Sequence, residues 1–202
     1  MPNIVFILDG DSTRRLIKRK IGKHPTPTEI ESFCISIKRP DESISACYYY
    51  DCVPFGETRK LPVTGRDIDF SSEYVYAVAQ SFQSDLARNP FFKFKRGQLS
   101  FDGWNIKEKV IAEIMASPRI LRDRDFSPLL SQKQVDMKIG LDIAKIALAR
   151  SADRILLITT DSDFVPIVDY ARSKGIEVVL VLDTFSKIKE CFRSKCTTRR
   201  YV

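Results

Sequence analysis

Between residues 134 and 182 the chain alternates without interruption between two kinds of apolar pattern. QVDMKIGLDIAKIALARSA repeats its apolar residues at helical spacing, and RILLIT is a short continuous apolar run. DFVPIVDYARSKG returns to helical spacing and closes at Gly175, and IEVVLVL is again continuous. Helix, strand, helix, strand at these lengths predicts βαβ units, right-handed crossovers and a mainly parallel sheet. Strands of such a sheet are covered on both faces, so they read as unbroken apolar runs. NIVFILDGD, at 3–11, has the same character and predicts another buried strand of that sheet.

The rest of the chain is less regular. The pattern predicts a helix over 12–22 with Ser12 as its N-cap, and a loop or new helix start at HPTPTE. Strands are expected at 33–38 and 45–53, a loop over 54–68, and a helix over 71–88. FFKFKRGQLSF reads as a strand with a turn or bulge at Gly97. A helix over 105–117 and an irregular stretch over 118–132 follow. The chain of 202 residues is expected to be one domain, 1–202, long enough to bury a sizeable core. It carries a helical or irregular insertion at about 105–132 and a basic C-terminal segment at 185–202, helix or tail over 185–195.

Five cysteines, odd in number and scattered, argue against a disulfide framework and for reduced thiols. Cys-x2-Cys spacing is absent and His24 is the single histidine, which counts against zinc. No apolar run approaches the ~20 residues that span a bilayer. Asp9 and Asp11 directly behind NIVFIL do not fit a secretory signal, so a cytoplasmic protein is expected. A formal charge of +7 favours a polyanionic partner. The basic residues gather after the first acidic cluster, around FFKFKR and in the tail.

The acids gather as well. Asp9 and Asp11 end the first predicted strand, and Asp161 and Asp163 end the strand in LLITTDSDF. In an open parallel sheet, ligands bind outside the carboxyl ends of the strands. A helix crossing back starts at that same edge, which brings in Asp136. Asp142, six residues on, lies about 9 Å further along the helix and reaches the edge only if the helix leans over it. Carboxylates converging without histidine or cysteine suit a hard cation, Mg²⁺ or Mn²⁺, and hence phosphoryl or phosphodiester chemistry.

FILDGDS, KQVDMKIGLD and LLITTDSDFVPIVDYARSKGIEVVLV resemble the NYN domain family, PIN-like nucleases; YYYDCV and FFKFKRGQLSFDGW extend the likeness over most of the chain. The resemblance implies an α/β, three-layer PIN-like (Rossmann-like) fold with a mainly parallel central sheet flanked by helices. It also implies a metal-dependent ribonuclease with Asp9, Asp136, Asp142, Asp161 and Asp163 around one or two Mg²⁺ or Mn²⁺ ions. In that picture Asp9 and Asp161 ligate directly, Asp142 and Asp163 ligate or position water, and Asp136 supports the ligands or caps its helix. Ser12, Gln134 and Thr160 stand where the family usually has Asn, Gly and Gly.

Substrate contacts are expected from Ser12, Arg14, Arg15 and Lys18 just past the first strand, from Lys133 before the helix, and from Lys93 and Lys95. Phe91, Phe92 and Phe94 have two readings: stacking platforms for bases, or the buried face of a strand. Trp104 reads as core or turn packing, and Phe164 as an anchor for the turn after the strand. RNA, single-stranded or structured, is the expected partner, with no membrane and a homodimer left open. Two other functions fit parts of the sequence. Asp-x-Asp in LDGDS could serve a haloacid-dehalogenase-like phosphatase, with Asp9 as nucleophile and Asp11 as general acid/base. A non-catalytic RNA-binding NYN module would keep the same fold.

Overall fold

A computed structural model describes residues 1–185 and 198–202. The expected basic helix or tail lies, past Phe185, outside the described residues. Seven strands form one sheet in the order β6-β5-β2-β1-β7-β8-β9. They are β1 (Asn3–Asp9), β2 (Ser43–Cys52), β5 (Phe92–Ile106), β6 (Phe126–Lys133), β7 (Arg154–Ile158), β8 (Glu177–Leu182) and β9 (Thr198–Tyr201). A separate two-stranded hairpin, β3 (Thr58–Lys60) and β4 (Asp67–Asp69), completes the set. The helices are α1 (Gly10–Ile21), α2 (Pro27–Ile37), α3 (Tyr74–Arg88), α4 (Glu108–Ala116), α5 (Val135–Ala149) and α6 (Val165–Ser173). The mainly parallel α/β architecture expected of the 134–182 block is present. Among the described residues no helix is long and apolar enough to cross a membrane.

The chain divides into two compact units. The first comprises Met1–Asp51, Phe82–Arg96 and Gln134–Val202. Its centre is β1, paired in parallel with β2 on one side and β7 on the other, while β7 pairs with β8 and β8 with β9, also in parallel. With neighbours on both edges and cover on both faces, Ile4, Phe6, Ile7 and Leu8 lose all contact with solvent. Each such side chain contributes roughly 1.5–3 kcal/mol of burial. Tyr49 joins this core, ringed by Phe82, Phe92 and Phe94 at 6.0–6.2 Å. The phenylalanines of FFKFKR therefore pack inward, as the strand reading has it. Phe164 is buried, as an anchor should be. Cys34, Cys47 and Cys52 are buried free thiols.

The second unit comprises Cys52–Ser81 and Gly97–Lys133. It contains the whole of the insertion expected at 105–132 and more besides. Phe55, Phe70, Phe101 and Trp104 form a chain of ring contacts at 5.2–6.1 Å, with the Arg59 guanidinium over both Phe55 and Phe101. Trp104 donates its ring N–H to the Lys60 carbonyl at 2.9 Å, so it packs a turn as expected.

Three local expectations change. Residues 33–37 belong to α2 and Lys38 caps it, so no strand forms there. Ile30, Phe33, Cys34 and Ile37 recur at helical spacing and are all buried, and a Thr26–Glu29 capping box with Pro27 at the first turn starts the helix. The loop over 54–68 contains β3 and enters β4, turned by Gly65 at φ +70°. The irregular stretch over 118–132 ends in β6, antiparallel to β5 with Ser100 opposite Ser131. Pro128 fits there because β6 is an edge strand, where a missing N–H costs no ladder bond.

Candidate functional site

Parallel pairing of β1 with β7 places Leu8 beside Ile158, so both strands end at one edge. Asp9 is the last residue of β1, and its carboxylate accepts hydrogen bonds from the Ser12 hydroxyl at 2.6 Å and the Thr159 hydroxyl at 3.4 Å. Immediately after Asp9 the chain must turn into α1 close to β2. A Cβ on Gly10 would stand 2.6 Å from the Tyr50 carbonyl oxygen, so glycine is required by space. Ser12 is not the N-cap expected of it. Asp9 occupies that position, and Ser12, inside the first turn, orients the Asp9 carboxylate instead.

Past β7 the chain forms a short turn of 3-10 helix at Ser162–Phe164. Asp161 caps it, accepting the Asp163 amide at 2.9 Å, while its own amide donates to the Thr159 hydroxyl at 3.1 Å. Thr159, missed in the sequence, thus holds both Asp9 and the backbone of Asp161. The sequence shows only a hydroxyl between an apolar run and an acid, which is too common to single it out. Asp136 sits in the first turn of α5.

These acids feel one another. Burial pushes the Asp9 carboxyl above its ordinary value; the Ser12 bond opposes this, the Asp136 charge adds to it, and the Thr159 bond opposes it again. The Asp136 carboxyl is raised by burial and then by the charges of Asp161 and Asp163. Like charges gathered at one rim raise the free energy of the ionised state and favour a cation in the same place. Among the described residues, no three carboxyl groups approach closely enough to hold one ion between them.

Asp142 keeps different company. It is buried on α5 and accepts a hydrogen bond from the Tyr50 phenol at 2.8 Å, with the Lys95 ammonium at 3.3 Å and Lys145 at 3.9 Å. Burial, then the bond to Asp142, holds the Tyr50 phenol far above its usual range. Among the described residues, Asp142 bonds or pairs with Tyr50 and these lysines and with none of the rim acids.

The expected substrate contacts divide in the same way. The Arg14 guanidinium bonds the Tyr49 phenol at 3.1 Å, pairs with Asp51 and lies 5.6 Å from the Phe82 ring centroid. These partners tie it into the fold rather than hold it out to phosphate. Arg15 pairs with Asp11 one turn away in α1, and Lys18 lies 2.8 Å from the His24 ring. Lys93 and Lys95 both sit over the Tyr48 ring, at 5.3 and 5.7 Å. Lys133 ends β6 in the second unit, lining a cleft with Phe55, Arg59, Gln98 and Phe101. Asp11, the general acid of the phosphatase reading, pairs with Arg15 at the surface.

No curated relative matches the chain. The crystal structure of a protein of unknown function from Vibrio parahaemolyticus is similar to it, with a TM-score of 0.53 over 100% of this chain and 93% of that one. At 12% identity that likeness speaks to the fold alone. The profile of the NYN domain matches residues 9–201, from the first rim acid through β9. The chain therefore belongs to the NYN domain family, and with it to the PIN-like nuclease superfamily.

Proposed function

We propose that the protein is a metal-dependent ribonuclease whose centre is the rim of Asp9, Asp136, Asp161 and Asp163. One observation carries the reading: the end of β1, the start of α5 and the turn after β7 bring acids to one sheet edge, where burial first and the neighbouring carboxylate charges after it push Asp9 and Asp136 above the ordinary carboxylate value. The donor set is all oxygen, which suits Mg²⁺ or Mn²⁺. Mg²⁺ commonly keeps several waters and takes only one or two carboxylates, so a cage of three is not required. Asp9 and Asp161 would hold the ion, with Asp163 and Asp136 supporting it directly or through water. The chemistry a bound ion supplies is a water made nucleophilic near neutral pH and charge neutralisation at the phosphate.

The chain's own residues orient these groups. Ser12 and Thr159 fix the Asp9 carboxylate, and the Asp163 amide fixes that of Asp161. Asp142, tied to Tyr50 and Lys95, positions that lysine and leaves ligation to the rim.

Labelled single-stranded and hairpin RNAs incubated with Mn²⁺, Mg²⁺ or EDTA test the proposal. Cleavage is expected with either ion and absent in EDTA. An Asp9→Asn/Asp161→Asn variant should lose at least the ~10–100-fold that removal of mere supporting partners costs a metal site. Tight RNA binding with no ion-dependent cleavage would identify a non-catalytic RNA-binding module. Cleavage unaffected by EDTA or by the double substitution would overturn the proposal.

A further inference from the structure

One face of the first unit collects cations well beyond what its acids neutralise. Lys93, Lys95 and Arg96 follow one another on β5, and Lys138 and Lys145 project from α5. A cleft of about 390 Å³ opens among them, lined by Ala87, Phe94, Lys95, Arg96 and Lys138. The Lys138 ammonium donates to the Arg96 carbonyl, which draws β5 and α5 together at this point. The Arg96 guanidinium lies 5.2 Å from the Phe94 ring centroid, a contact that leaves its charge unneutralised. Of these five cations, Lys95 and Lys145 reach an acid, and both reach the same one, Asp142. Among the described residues Lys93, Arg96 and Lys138 have no carboxylate within ion-pair distance.

Several like charges held around one concavity are costly unless an anion shares the space. The cleft is also placed usefully. Lys138 is two residues beyond the rim acid Asp136 on the same helix, about 3 Å further along its axis and roughly 200° round it. A strand seated on Lys138 would cross the first turn of α5 to reach the rim.

We propose that this cleft is a phosphate subsite for a single-stranded RNA backbone. Arg96 and Lys138 contact neighbouring phosphates, and Lys95 is aimed by Asp142 at a third. The inference rests on the ribonuclease reading for the identity of the polyanion, and it names where the strand lies outside the bond that is cut.

The test is binding of a fluorescein-labelled twelve-nucleotide oligouridylate in EDTA across a salt series, so that no cleavage intervenes. Each phosphate contact on a single strand contributes about 0.7 to the slope of log K against log salt. Arg96→Gln/Lys138→Gln should flatten that slope by about 1.4, two such contacts, while Lys20→Gln/Lys174→Gln, equal in charge and in the same unit but not lining the cleft, should barely move it. Lys138→Gln alone should remove about 0.7, which keeps the test open should the double variant fold poorly. With Mn²⁺ present, the double variant should raise KM severalfold and leave kcat nearly unchanged. A slope change no larger than the control's would overturn the subsite even if the enzyme cleaves RNA. The expected slope change in a protein that never cleaves would uphold the subsite and sink the nuclease reading. A wild-type protein that does not bind the oligonucleotide would sink both.

Discussion

Gln134 has φ +74°, a left-handed conformation that costs an L-residue with a side chain roughly 1–2 kcal/mol. It stands where the NYN pattern usually carries glycine, and the backbone has kept the turn that glycine would have made easily. Gln134→Gly should therefore stabilise the protein. The gain is the relieved strain less the ~0.5–1 kcal/mol of extra chain entropy that glycine loses on folding, a net of roughly 0.5–1 kcal/mol. Urea unfolding of the two proteins measures it, and a destabilised variant would show that Gln134 earns its place through its side chain. The same scale explains what was and was not legible in the residues. Acids at strand ends declare themselves because nothing in a core wants them. Arg14 looked free for phosphate because its partners, Tyr49 and Asp51, lie more than thirty positions away. Thr159 and Tyr50 were invisible as site residues because hydroxyls at strand positions have ordinary reasons to be there.

At the scale of elements, the alternating block from α5 to β8 was readable almost to the residue, since its strands lie in the middle of the sheet and must be wholly apolar. Its neighbours were harder. Residues 33–38 carry β-branched and aromatic types that fit a strand, and only the recurrence from Ile30 to Ile37 together with the Thr26 cap decides for a helix. β6 was hidden because an edge strand tolerates Pro128 and half-exposed polar residues. Tertiary ties between elements leave no local trace at all. Glu42, ahead of β2, is fully buried and binds Arg154 at the start of β7 and Arg200 in β9, the latter at 2.6 Å. Burial alone would raise its carboxyl, but hydrogen bonds from Arg200, the Arg39 amide and Arg154 outweigh this and hold it down at about 2, against an ordinary 4.5. A carboxyl depressed on folding stabilises the native state above its unfolded value, and that contribution disappears as pH falls from about 4.5 through about 2. Glu42→Gln should cost ~1.5–3 kcal/mol at pH 7, because it removes the charge that Arg200 binds, while Arg154 keeps Glu177. The gap between wild type and variant should close as unfolding is measured at successively lower pH toward 2. A gap that stays constant with pH would mean the carboxylate charge is not what fastens β9.

For the molecule as a whole, the family, the mainly parallel sheet and the gathering of acids at its carboxyl edge were legible from end to end, because all three follow from where a βαβ chain puts its strand ends. The division into two compact units was not, since the second unit is assembled from two separated stretches, Cys52–Ser81 and Gly97–Lys133. Nor could spacing alone separate Asp142 from the rim acids; the Tyr50 phenol and the Lys95 ammonium that engage it come from distant strands. The account turns on whether the rim binds a hard cation. Calorimetric titration with Mn²⁺ decides this most directly, on the wild type, Asp9→Asn/Asp161→Asn and Asp142→Asn, each shown by circular dichroism to be folded. The account predicts a saturable Mn²⁺ site in the wild type, kept within a few-fold in Asp142→Asn and lost in the double variant. A folded wild type that takes up no Mn²⁺, or a double variant that takes it up as well as the wild type, would contradict it.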